Sequence, residues 1–498
     1  MAAFLSFLLP GLGQIYAGRL GRGIAMAVPI LAVATVTLIV AGTGWSRVLD
    51  LLVRTEVLVL LLVANVVLFA YHVAAVVDAH RLAVVRRGDD KGEARATRRS
   101  LPRGAALVPL ALILALTAVL HGVPEFYGIR AAQNLETIFA RAGTGDDRTL
   151  PEPGWAGASP TAGTSSGAAA SPGTASPAPV ATATGGDGES TPGAGPTATL
   201  PAGPDWASDG RLNIVLLGSD EGPGRWSLRT DAVFLLSVDT TTARAALFGF
   251  PRYMSNIPMP PESAANFENG RFPGYLNALY VRAQGHPGRF PGNDSRGLRV
   301  VAGAVQELAG VRVDDYVMVN LNGFVDVVDA MGGLWIDVPE AVRDDRYRPE
   351  TGGAHIDIRI RPGCQKLDGR MALAYARSRH QDSDYARLGR QEVTLRAMRR
   401  QFDPLAVLPQ LPQLFDVAGE NLFWTLEPED VSPMAALASR VDPDRMQRVL
   451  FTPPEYDREL PTETVDRIRA KVRGIFDEPE PEPEPSASPG TADCPPRT

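Results

Sequence analysis

Between Ala374 and Gln391 the chain reads AYARSRHQDSDYARLGRQ, which places Arg377, Arg379, Arg387 and Arg390 within fourteen residues. Each guanidinium carries a permanent charge and five hydrogen-bond donors, so four of them cannot share an apolar core and must face solvent or an anion. The planar fork of arginine matches phosphate oxygens two at a time, which suits it to holding a diphosphate in one orientation. Taken alone, the stretch also reads as a solvated basic helix face balanced by Asp382, Asp384 and Glu392. Three further patches favour the anion site. In LNIVLLGSDEGPGRWSLRTDAVFLLSVD, from Leu212 to Asp239, two apolar runs flank a loop rich in Gly, Pro and Ser and read as buried strands. Asp220 follows the first run and Asp231 opens the second. Two carboxylates brought together at adjacent strand ends repel unless a cation lies between them, and hard oxygen donors of this kind suit Mg²⁺. Singly, Asp220 also reads as a turn residue and Asp231 as a strand-start cap. A third apolar strand, AALFGFPRYM, delivers Arg252 at the same sheet edge, and GCQKLDGRMALAYARSR opens a helix at Asp368 and Gly369 that carries Arg377 and Arg379.

In this order the residues resemble the LytR-CpsA-Psr family of cell-wall glycopolymer ligases. The motifs that carry the resemblance are Gly218-Ser219-Asp220, Arg229-Thr230-Asp231, Pro251-Arg252, Asn277-Ala278, Asp329-Ala330-Met331-Gly332-Gly333, Leu367-Asp368-Gly369, Tyr375-Ala376-Arg377-Ser378-Arg379 and Arg387-Leu388-Gly389-Arg390-Gln391. Any one is weak; eight in register between about 212 and 400 are specific, and they say nothing of the N-terminal part. Two positions depart from the pattern. Tyr253 stands where the family usually has an Asp, and Tyr275 and Leu276 precede the Asn-Ala pair where a Lys is often found. The resemblance implies transfer of a glycan from a polyprenyl pyrophosphate carrier to a peptidoglycan hydroxyl. It implies Asp220 and Asp231 as holders of Mg²⁺, and catalytic roles for Asp220, Asp231, Arg252, Arg377 and Arg379. Arg229, Arg387, Arg390, Gln391 and Asp384 would contact substrate, and Asp231 or Asp384 could take the acceptor proton. No Ser-His-Asp or Cys-His pair presents itself, so no covalent enzyme intermediate is expected. Two other readings use the same pocket: a sensor that binds lipid-linked wall precursors without turnover, and a pyrophosphatase in which water replaces the sugar hydroxyl.

The elements that must position these residues are strands near 213–218, 232–239, 245–251, 315–320, 334–338, 355–360 and 447–452. They alternate with helices near 295–309, 322–331, 369–378, 384–402, 430–440 and 463–476. This order predicts an α/β or α+β sandwich with a central mixed sheet flanked by helices, preceded by a transmembrane helical region. The family resemblance implies the same fold, with a deep apolar channel for a polyprenyl chain.

At 498 residues the chain exceeds a single core, and its composition divides it. Residues 1–128 form a membrane region with spans expected at about Gly23–Thr43, Glu56–Val77 and Ala105–His121. The segment 79–103 holds eight basic residues, among them Arg86, Arg87, Lys91 and Arg99, whereas the loop between the first two spans has little beyond Arg47 and Arg54. The positive-inside rule therefore puts 79–103 in the cytoplasm and everything after the third span outside the plasma membrane. The opening Pro10-Gly11-Leu12-Gly13-Gln14 string predicts a bent interfacial or re-entrant piece serving packing. From about 143 to 208 the chain is Ala, Gly, Ser, Thr and Pro, a stalk unable to bury enough surface to fold. The catalytic domain is expected over 209–476, followed by an acidic, Pro-rich, disordered tail over 477–498. Cys364 and Cys494 are the two cysteines, too few for a zinc site; exported, they could form one disulfide, which the chain permits without forcing. His380 within the arginine cluster reads as a solvated helix-end residue. With 49 basic against 56 acidic residues and the arginines outside the cell, a nucleic-acid partner is excluded.

Overall fold

The computed structural model describes residues 1–42, 51, 54–89, 107–141, 150, 209–221, 228–293, 295–379, 381–402, 421–481 and 494. Apart from residue 150, the expected stalk lies outside them, as do residues 90–103 of the basic segment, His380 and most of the acidic tail.

The N-terminal part is helical: α1 (Ala2–Leu8), α2 (Leu12–Tyr16), α3 (Leu20–Gly42), α4 (Thr55–Asp89) and α5 (Leu107–Arg141). Three of these contain stretches long and apolar enough to cross a membrane, Leu20–Val40, Thr55–Val84 and Leu107–Gln133. The Pro-Gly break separates α1 from α2. Gly11 sits at φ 103°, and a Cβ there would lie 2.2 Å from the Gly23 carbonyl oxygen, so only glycine fits. Gln14 is fully buried, accepts from Ser6 at 2.8 Å and donates to the Ala75 carbonyl at 2.9 Å and to Asp78 at 3.1 Å. The motif thus packs the opening hairpin onto α4. Between α4 and α5, His72 and His121 share a hydrogen bond of 3.2 Å, and Asn65 of α4 links His121 to Glu125 of α5. Polar groups in an apolar bundle face each other in this way because the apolar side chains around them offer no partner.

The rest of the chain runs β1 (Arg211–Ser219), β2 (Thr230–Asp239), β3 (Ala245–Gly249), β4 (Ile257–Pro258), α6 (Pro261–Ala264), β5 (Arg271–Phe272), α7 (Leu276–Gly285), α8 (Arg296–Ala309), β6 (Asp315–Val319), α9 (Leu321–Ala330), β7 (Leu334–Val338), β8 (Val342–Tyr347), β9 (Ile356–Ile360), β10 (Gly363–Leu367), α10 (Gly369–Arg377), α11 (Asp384–Gln401), β11 (Leu422–Trp424), α12 (Pro428–Arg440), β12 (Gln447–Leu450) and α13 (Thr462–Arg473). Six strands form one mixed sheet in the order β11-β6-β1-β2-β3-β12, with β1–β6 and β3–β12 parallel and the other neighbours antiparallel.

The period-2 alternation of the strands divides their side chains between two layers. Val215, Leu217, Val233, Leu235, Ala246 and Phe248 pack with α7, α8 and α13 on one face. Leu212, Phe234, Val238, Ala245 and Leu247 pack on the other with Leu388 and Leu395 of α11 and Leu437 of α12. The result is the expected sandwich with a central mixed sheet between helical layers. A satellite core joins β7–β10 and β8–β9 to α10 and α11. Strands β8 and β10 were not expected, for a physical reason: VRDDRY and GCQKL carry charged or polar residues on their outward positions and too short an apolar pattern to read as strand. The structure pairs Cys364 with Cys494 across a Cα–Cα distance of 5.5 Å, closing the bridge that the sequence left open.

Candidate active site

A cavity of about 500 Å³ opens beside the ends of β1 and β2. Its apolar wall follows from register: Leu216 pairs with Phe234 on one side and with Val317 on the other, so the three form a row across β2, β1 and β6. Phe324 of α9 and Leu395 of α11 continue this wall. Seven arginines and three aspartates line the same cavity, an excess of positive charge that suits an anion.

The arginines are delivered by elements whose own motifs are structural. Asp368 caps α10 by accepting from the Met371 amide at 2.8 Å. Gly369 is required there because a Cβ would lie 2.2 Å from the Val325 carbonyl oxygen. Its amide donates to Asp329 at 2.7 Å, and Gly332 and Gly333 turn from α9 into β7 at φ 77° and 93°. The Asp-Ala-Met-Gly-Gly and Leu-Asp-Gly motifs therefore lock α9 to α10 and fix where Arg377 emerges.

At the sheet edge Arg252 is buried and saturated. It donates to Asp231 at 2.8 Å, to both Asp384 oxygens at 3.0 and 3.1 Å, and to the Tyr253 hydroxyl at 2.6 Å. Tyr253, in the place of the family's aspartate, gives Arg252 a neutral oxygen and a ring face 4.4 Å from the guanidinium carbon. Burial lowers the pKa of Arg252, but Asp231 and Asp384 outweigh it and raise the value. Asp231 also accepts from Asn277 at 3.2 Å. Burial pushes its carboxyl up, yet Arg252, Arg387 and these hydrogen bonds hold it below the ordinary carboxylate value.

Arg387 is different. Its side chain is 5 % exposed, its contacts to Asp231 and Asp384 run from 3.4 to 3.7 Å, and among the described residues its Nε has no hydrogen-bond partner. Burial and then the Arg252 charge lower its pKa, so this guanidinium is short of negative charge. The side-chain oxygens of Ser219 and Gln391, both cavity-lining, are likewise buried without partners among the described residues. Buried polar groups without partners are uncommon in native interiors, and these three mark the wall as a place suited to a polar ligand.

The remaining sequence-derived site residues fall into two groups. Asp220, Arg229, Arg377 and Arg379 line the cavity with Asp231, Arg252, Arg387 and Gln391. Asp220 accepts from the Arg229 amide at 2.7 Å, and Arg377 donates to the Tyr347 hydroxyl at 3.1 Å while lying 5.3 Å from that ring. Arg390 and Asp384 do not line it. Arg390 instead binds the Tyr375 carbonyl at 2.9 Å, the Ser378 carbonyl and Asp382, which ties α10 to α11; it stands one turn from Arg387 on the same helix, and these oxygens, not helical phase, draw it away from the cavity. Asp384 is held bidentate by Arg252 and lines a second cavity of about 170 Å³ that shares Asp231, Arg252 and Arg387 with the first. Sequence reasoning missed Asn277 as the brace of Asp231, and the contribution of β8 and the following loop, where Arg346, Tyr347, Arg348 and His355 line the cavity. It also missed Asp344, buried and bonded to the Ser378 hydroxyl at 2.9 Å.

Among the described residues no group of three His, Cys, Asp or Glu side chains could hold a metal. Asp220 and Asp231 both line the cavity and are the carboxylates that would hold a Mg²⁺, an ion that takes one or two carboxylates and completes its shell with water and substrate phosphate oxygens.

A family model for LytR_cpsA_psr matches residues 187–452, more than half of the chain. Among curated relatives, the polyisoprenyl-teichoic acid–peptidoglycan teichoic acid transferase TagT of Bacillus subtilis is 31 % identical over 44 % of this chain and 61 % of its own length. The transferase TagU of Oceanobacillus iheyensis is 29 % identical over 43 % and 59 %. Biofilm regulatory protein A of Streptococcus mutans is 24 % identical over 44 % and 51 %, so the chain spans about half to three-fifths of these relatives. The crystal structure of B. subtilis TagV aligns at 20 % identity and a TM-score of 0.40, covering 54 % of this chain and 98 % of that one. With the motifs in register around one cavity and the family model spanning them, the chain belongs to the LytR-CpsA-Psr family.

Proposed function

We propose that the chain is a membrane-anchored ligase that moves a glycan, with one phosphate, from a polyprenyl diphosphate carrier to a peptidoglycan hydroxyl outside the plasma membrane. The observation that carries this reading is Arg387, a buried guanidinium whose Nε has no partner among the described residues, beside an apolar wall of Leu216, Phe234 and Val317. One ligand that joins an anionic head to a long apolar tail answers both features.

In the step, the acceptor oxygen bonds to the glycan-side phosphorus, the bridging P–O bond breaks, and polyprenyl phosphate departs with the charge. Arg377, Arg379 and Arg387 would hold that charge in a site already arranged for it. Arg252, saturated by its own carboxylates, keeps Asp231 in place. When bound at Asp220 and Asp231, Mg²⁺ supplies charge neutralisation to the diphosphate. The acceptor proton passes to Asp231, which lines both cavities. Its low pKa suffices because a loose phosphoryl transition state demands little base catalysis. Three apolar helices would hold the domain at the surface where lipid donor and wall meet, and the basic segment 79–103 would orient it outward.

Mass spectrometry of the lipid that co-purifies with detergent-extracted full chain tests this. A polyprenyl diphosphate glycan is expected from the unaltered protein and not from Arg387→Ala; phospholipid alone in the unaltered protein would sink the reading. A binding-only role, in keeping with the name of the S. mutans relative, would use the same cavity and release no polyprenyl phosphate.

A further inference from the structure

We infer that the second cavity and the tyrosine pair at its edge form the acceptor subsite, taking one pyranose ring of a wall glycan. The inference rests on the ligase reading and adds which residues receive the second substrate.

Two cavities share one wall: Asp231, Arg252 and Arg387 line both. A transferase with two substrates needs two binding faces that meet at the reacting centre, and this cluster is where they meet. At about 170 Å³ the second cavity falls below the roughly 300–1,000 Å³ typical of pockets for drug-sized ligands, which suits a single sugar ring. Its outer lining is Tyr253, Tyr385, Leu388 and Arg458. The edge is aromatic and open: Tyr253 is 37 % and Tyr275 47 % exposed, and their rings meet edge to face at 5.3 Å.

This arrangement is built by the backbone. The Asn277 amide donates to the Arg252 carbonyl at 3.1 Å and the Leu276 amide to the Met254 carbonyl at 2.8 Å, setting the start of α7 against the loop after β3. The Ser255 amide donates to the Arg458 carbonyl at 2.8 Å and brings that loop alongside. Tyr253, whose hydroxyl and one ring face Arg252 already engages, braces Tyr275, and the more exposed ring of Tyr275 offers an apolar surface to the C–H face of a sugar and its hydroxyl to the sugar's hydroxyls. Among the described residues, no side chain hydrogen-bonds or ion-pairs with the guanidinium of Arg458, which leaves its donors for the same ring. Both tyrosines lie where the chain departs from the family motif, so they would set acceptor preference in this chain rather than family-wide chemistry.

The full chain, reconstituted with a polyprenyl-diphosphate-linked glycan, is titrated with soluble peptidoglycan strands. For Tyr275→Ala the acceptor KM is expected to rise about three- to tenfold with the donor KM unchanged, Tyr275→Phe restoring it and Arg458→Ala repeating the rise. Equal acceptor KM values in Tyr275→Ala, Arg458→Ala and the unaltered protein would overturn the subsite. Calorimetric binding of a muramidase-released wall oligosaccharide separates the two levels. Binding by the unaltered protein that Tyr275→Ala loses supports the subsite even without turnover, in which case only the ligase reading fails. No binding by the unaltered protein, or displacement of the oligosaccharide by inorganic phosphate, overturns the subsite.

Discussion

At the scale of single residues, the arginines divide by what already satisfies them. Arg390 and Arg252 meet carbonyl or carboxylate oxygens at every turn, whereas Arg387 is buried and short of partners. Arg387→Ala should weaken binding of a polyprenyl diphosphate by about 1.5–3 kcal/mol, on the order of 10- to 100-fold, with little change in Tm. Arg390→Ala should do the reverse, lowering Tm because it leaves two backbone carbonyls without their donor. Paired measurements of Kd and Tm check this; equal loss of affinity in both variants would place Arg390 in the site. The sequence identified these arginines as a set but not their division. Four guanidiniums in fourteen residues announce an anion, yet which of them turns into the cavity depends on the oxygens that the fold brings to each, such as the Tyr375 and Ser378 carbonyls that take Arg390. Asn277 shows the same limit, since it stood in a quoted motif while its role as brace of Asp231 needed the fold.

At the scale of elements, β1, β2 and β3 were legible because their Val-, Leu- and Phe-rich runs are fully buried in β3 and alternate between buried and half-buried positions in most of β1 and β2. What was hidden is β8, whose charged residues lend arginines to the cavity mouth, and the small cavity between β3, α11 and the loop of Arg458. One joint carries a pH signature. Asp314, just before β6, accepts from the Asn213 amide of β1 at 2.8 Å, and burial pushes its carboxyl up to about 7 against the opposing effect of that hydrogen bond. A folded pKa above the unfolded one means stability that is present in full at low pH and falls as pH rises from about 4 through about 7. Tm measured from pH 5 to pH 8 should therefore decline, and Asp314→Asn should flatten the decline. An identical slope in the variant would show that Asp314 does not titrate in this range.

At the scale of the whole molecule, three long apolar helices precede a sandwich whose sheet edge carries charge on one side and an apolar row on the other. The long apolar helices were legible from hydropathy within a few residues at their starts, and the Pro-Gly-Leu-Gly-Gln segment packs onto α4. The cysteine bridge was not decidable from the sequence, because 130 residues separate its ends and no local pattern fixes them together. If the basic segment is cytoplasmic, a reporter active only in the cytoplasm should be silent when fused after residue 498, and active when fused after residue 95; the opposite pattern would reverse the topology. The central claim concerns what meets at the shared wall of Asp231, Arg252 and Arg387. Its most direct test is product analysis with the reconstituted full chain, a polyprenyl-diphosphate-linked glycan and peptidoglycan strands, with and without Mg²⁺. Polyprenyl phosphate and wall-linked glycan phosphate should appear in equal amounts, only when acceptor and Mg²⁺ are both present, and both should vanish in Asp220→Asn/Asp231→Asn although the protein stays folded. Release at the same rate into water without acceptor, or no release with any acceptor, would contradict the account.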